Sequence, residues 1–132
     1  MTQDRPDAAE LVAAVREFLE RDVMAATDGR VQFHTRVAVN VLNIVERELK
    51  LGPELEPGER ARAAALLGHD ADAAALEREL ANGIRSGALD DRLGEVRAHV
   101  RATVREKLLI ANPAYLPEDR LPDDPTPNNR GT

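Results

Sequence analysis

Residues 31–50 read VQFHTRVAVNVLNIVERELK, and whether this stretch is a strand or a helix decides the fold. Its valines are β-branched, which favours a strand. A half-buried strand needs strict apolar–polar alternation, and that alternation fails at Val41-Leu42 and at Ile44-Val45. Phe33, Val37, Val41, Ile44, Val45 and Leu49 recur instead every three or four residues, which is the spacing of an amphipathic helix. The helix reading prevails. Gly52-Pro53 is expected to end it.

Working outward, Leu11, Val15, Phe18 and Leu19 carry the same period, so a helix is expected over about 7–26. It follows Asp4-Arg5-Pro6-Asp7 and ends at Thr27-Asp28-Gly29. The short link makes these first two helices an antiparallel hairpin. Pro57-Gly58-Glu59 starts an Ala-rich third helix that ends at Gly68. Asp70 is expected to cap a fourth, with Leu76, Leu80 and Ile84, which stops at Gly87 and frays near Gly83. Asp90 caps a fifth, with Leu93, Val96, Val100, Val104 and Leu108, which ends at Asn112-Pro113. The expectation is an all-α, single-domain bundle of about five helices over 4–116. Five of the eight prolines fall between 113 and 127, so 117–132 reads as an extended or disordered tail.

Composition narrows the function. The 132 residues include no cysteine, which excludes disulfides, thiolate metal sites and a cysteine nucleophile and fits a cytoplasmic setting. Two Phe, one Tyr and no Trp leave the core to Leu, Val, Ile and Ala. A net charge of −6 disfavours nucleic acid, whose phosphates select basic proteins. No apolar run approaches the ~20 residues of a membrane span, and no secretory signal is visible at the N-terminus.

Several polar residues interrupt the helical faces. Asp22 falls inside the apolar stripe of the first helix and His34 inside that of the second. The hairpin brings both to its closed end, so an Asp22–His34 hydrogen bond is expected there. Glu48 sits at the far end of the second helix, paired with an arginine or reaching water. Arg36, Asn40, Asn43 and Arg47 line the opposite side, where with His34 they form a candidate surface for an anionic ligand or a partner carboxylate. Arg97, Arg101 and Arg105 make a basic ridge at i, i+4, i+8 on the fifth helix. His69 and His99 are isolated, and no metal-ligand spacing, phosphate loop or nucleophile elbow is present. Thr35 beside His34 and Thr103 near His99 are single hydroxyls without a base-and-orienter arrangement. No catalytic residue, metal or cofactor is assigned.

At Arg5-Pro6, at Ala9-Glu10-Leu11 through Arg16-Glu17-Phe18-Leu19, at Phe33-His34-Thr35-Arg36-Val37-Ala38-Val39-Asn40, at Ile44-Val45-Glu46-Arg47-Glu48-Leu49 and at Asn112-Pro113, the chain resembles a bacterial family of unknown function over about 4–116. Members of that family look like companions of aminoglycoside-phosphotransferase-like kinases and acyl-CoA dehydrogenases. The resemblance implies an accessory, protein-interaction role beside such an enzyme, and brings no catalytic residues with it. The alternative is a small-molecule binder or weak enzyme using His34 and the polar face. A homo-oligomer is compatible with either.

Overall fold

Asp7 opens the first helix. Its side chain accepts from the backbone N–H of Glu10 at 2.8 Å, taking up one of the donors that a helix start leaves free. The computed structural model describes residues 4–116. From that cap α1 runs over Ala8–Phe18, continues through a π-helical turn, Leu19–Val23, and closes with a last α turn, Met24–Ala26. Then come α2 (Gly29–Leu67), α3 (Ala73–Ser86) and α4 (Leu93–Ala111), with 3-10 turns at Asp90–Arg92 and Pro113–Tyr115. Among the described residues there is no strand, and the chain is all-α. The expected tail, 117–132, lies outside them.

The second and third expected helices are one, so the bundle has four helices rather than five. α2 is 39 residues long and passes through Pro53 and Pro57. A proline inside a helix removes a hydrogen bond and costs about 3 kcal/mol. Leu49, Pro53 and Pro57 stand i, i+4, i+8 apart and all are exposed. The carbonyls of Leu49 and Pro53, which lose their donors, are therefore on the solvent side, within reach of water. Leu51 and Leu55 are half-buried, and Ala63 and Leu66 are buried. Packing on that side holds the helix across the signal that should break it.

α2 is the spine. Its first half lies along α1, and its second half carries α3 and α4, which join it in one core. The core is at this second end. Leu66, Leu80, Leu89 and Val96 form one cluster with Leu67 against it, and Leu76, 1% exposed, is the deepest large side chain. Gly83 does not fray α3, which runs on to Ser86. A Cβ at Gly83 would lie 3.0 Å from Leu89 Cδ1, so the missing side chain makes room for Leu89. Asp72, not Asp70, caps α3, accepting from Ala75 N–H at 2.8 Å. Asp70 instead takes the Arg60 guanidinium at 3.0 and 3.2 Å. Asp90 begins a 3-10 turn ahead of α4.

Helix ends leave carbonyls without partners, and three of these ends are closed by side chains from other elements. The Gln32 amide donates to the Met24 and Thr27 carbonyls, each at 3.1 Å, after α1. Arg92 donates to the Leu66 carbonyl at the end of α2. Arg47 Nε donates to the Ile110 carbonyl at 2.7 Å, near the end of α4. No helix is long and apolar enough to cross a membrane among the described residues.

Candidate functional site

α1 and α2 pack together, with Val12, Arg16, Leu19 and Val23 half-buried on one helix and, on the other, Thr35 and Val39 buried and Leu42 and Glu46 half-buried. Arg16 Nε donates to Glu46 at 3.0 Å, with the side chains only 19% and 14% exposed. Lys50 adds a second contact to Glu46 at 2.8 Å, and Arg16 also reaches Glu20 at 3.0 Å. The hydrogen bond from Lys50, and then that from Arg16, holds the Glu46 carboxyl below its ordinary value although burial opposes this. Glu46 in turn raises the Arg16 guanidinium.

That seam turns the expected apolar stripes outward. Leu11, Val15 and Phe18 are exposed on α1, and Phe33, Val37 and Val41 on α2, with Phe18 at 56% and Phe33 at 58%. On a wheel of 3.6 residues per turn, Val37 stands roughly 200° from Thr35. The Phe33–Val37–Val41 stripe is thus on the side of α2 away from α1. Farther along, the same side bears Leu55, Arg62 and Leu66, over which α3 and α4 pack. α4 ends level with Arg47, and beyond it no described residue covers this face.

The expected Asp22–His34 pair is not made. Asp22 lies in the π-helical turn, where i→i+5 bonding advances each residue by less than an α-helix does. Its side chain is exposed, as is the apolar stripe beside it. His34 is exposed too. Its Nε2 accepts from Arg30 Nε at 3.4 Å, and its ring meets the Phe33 ring edge-on at 5.4 Å. The hairpin's closed end offers carbonyls, which need a donor, and the Gln32 amide supplies it. The polar stripe is divided as well. Arg36 and Asn40 are exposed, Asn43 is half-buried, and Arg47 is committed to the Ile110 carbonyl. His34 lines a shallow hollow with Leu19, Val31 and Ala38 that holds none of the four. Glu48 is exposed, and Glu46 is the carboxylate that pairs across the hairpin. Arg97, Arg101 and Arg105 are all exposed.

The sequence reading set aside one polar pair, His99 and Thr103, whose polar atoms the fold buries. His99 is 8% exposed, and neither its Nδ1 nor the Thr103 hydroxyl has a hydrogen-bond partner. Burial, and then the Arg62 guanidinium, push the imidazole below its ordinary value against Glu59 and Glu106. Both residues interrupt the Val96, Val100, Val104 stripe of α4, and the sequence showed their proximity but not their burial. Arg62 itself is held by Glu106 at 2.9 and 3.0 Å. Among the described residues no three His, Asp or Glu side chains gather as metal ligands.

A family model described as a domain of unknown function, DUF6285, matches residues 25–115. No curated protein and no solved structure matches the chain.

Proposed function

The chain belongs to the DUF6285 family, a domain of unknown function, and from that premise we propose that it is a non-catalytic interaction module docking on another protein through the outer faces of the α1–α2 hairpin. The carrying observation is the exposed Phe33–Val37–Val41 stripe, the open continuation of a face that α3 and α4 cover farther along. Contiguous apolar surface of this kind, rimmed by polar side chains, is typical of protein interfaces. Here Arg36 and Asn40 form one rim. Arg36 and Asn40 are exposed and line none of the hollows described above, which suits a partner carboxylate better than a small ligand. Arg47 serves the fold. The partner is a phosphotransferase-like kinase or an acyl-CoA dehydrogenase of a bacterial cytoplasm, as the family resemblance implies.

The test is size-exclusion chromatography with light scattering. The full chain is mixed with each purified enzyme class from its own host. One of them is expected to co-elute with the native chain. The double variant Phe33→Asp, Val37→Asp should keep its helical circular dichroism and lose the complex. Co-elution with neither enzyme, or undiminished binding by the variant, overturns the reading.

A further inference from the structure

A groove of about 380 Å³ opens where α2, α3 and α4 meet. Ala63 of α2 lines it, with Leu76, Leu80 and Ile84 of α3 and Val100 and Val104 of α4. His99, Thr103 and Lys107 form a polar ladder along α4 at i, i+4, i+8, all lining this groove. The ladder is unsatisfied. A threonine within a helix can bond back to the i−4 carbonyl, as Thr35 does to Val31 at 2.7 Å. Thr103 does not, and its buried hydroxyl is without a partner, as is the buried Nδ1 of His99. Buried polar atoms are rarely left so without a reason.

We propose that this groove binds an aliphatic carboxylate of medium chain length, the chain lying on the alanine, leucine and valine walls and the head group accepting, beside Lys107, from the Thr103 hydroxyl and the His99 imidazole, which turn from their buried positions toward it on binding. The volume is in the range of small-ligand pockets, which pair apolar walls with a few placed polar groups. The imidazole is neutral through burial, so in the Nδ1–H tautomer it donates without bringing a second charge inside. Lys107 is exposed at the mouth, where it meets a carboxylate without the cost of burying an ammonium. Arg60, also at the rim, is engaged by Asp70. Glu59 and Glu77 complete the rim and repel an anion that enters anywhere but the Lys107 end. This site is separate from the hairpin faces, and neither proposal depends on the other.

Octanoate is the probe, titrated by calorimetry into the full chain, with octanol and octylamine as controls. Octanoate is expected to saturate one site and to shift the His99 ring resonances. Octanol should bind at least tenfold more weakly and octylamine not at all. Thr103→Val removes a hydroxyl that has no partner, so thermal stability should hold or rise while octanoate affinity falls about tenfold, the worth of a hydrogen bond to a charged group. Lys107→Gln should weaken octanoate severalfold and leave octanol unchanged. The proposal is overturned if octanoate does not bind, if octanol binds as well, or if Thr103→Val leaves affinity unaltered.

Discussion

Glu46 is the residue on which the hairpin turns. Placed among apolar neighbours, it is satisfied by Arg16 and Lys50 together, and removing one partner from a mostly buried pair leaves the other exposed to the cost of desolvation. Glu46→Gln is expected to destabilise the fold by about 1–2 kcal/mol at neutral pH, between the values for surface and buried pairs. The folded carboxyl titrates below its ordinary value, so its contribution is complete above the unfolded pKa. That contribution is lost as pH falls through the depressed one. The gap in urea midpoint between native chain and variant should therefore close on acidification below about pH 4. A gap that does not narrow on acidification would place the stabilisation elsewhere. Asp22 and His34 were legible as exceptions to their stripes. Their pairing was not, because one π-helical turn shifts the phase on which the argument depended.

Among the elements, α2 departs furthest from its local signals. Gly52-Pro53 and Pro57 read as an end and a new beginning, yet the helix continues because both prolines lie on its solvent side while the other side is packed. Pro53→Ala restores the donor to the Leu49 carbonyl. It should stabilise the protein by about 2 kcal/mol, the helix-interior penalty less the entropy that proline removes from the unfolded chain. Thermal melting of the single variant measures this, and a lower melting temperature would mean a break at 52–53. The remaining elements were legible to within a few residues: α1, α3 and α4 each begin and end near their acidic caps, glycines or Asn112-Pro113. Cap identity was not, since Asp70 and Asp72 are equal candidates until Arg60 claims the first.

For the whole molecule, stability and interaction reside at opposite ends of the spine. The buried cluster belongs to the second half of α2 with α3 and α4, while the hairpin keeps its largest apolar side chains outside. Leu76→Ala should cost about 2–5 kcal/mol, as truncation of a fully buried leucine does. Phe33→Ser, on the exposed stripe, should change stability by less than about 1 kcal/mol. Denaturant midpoints of the two variants decide the point. Comparable losses would mean that Phe33 is covered by this chain and that the docking face does not exist.

Periodicity by itself determined that the chain is all-helical, that its first two helices form a hairpin, and that α1, α3 and α4 stop where glycine and proline stop them. These are local properties, set within a turn or two by side-chain size, backbone freedom and capping chemistry. Only the tertiary structure decided which side of each helix is covered. An apolar stripe specifies that a face avoids water; it does not specify the neighbour. In the hairpin no described residue is that neighbour, because the arginine–glutamate seam takes the inner face and α4 ends level with Arg47.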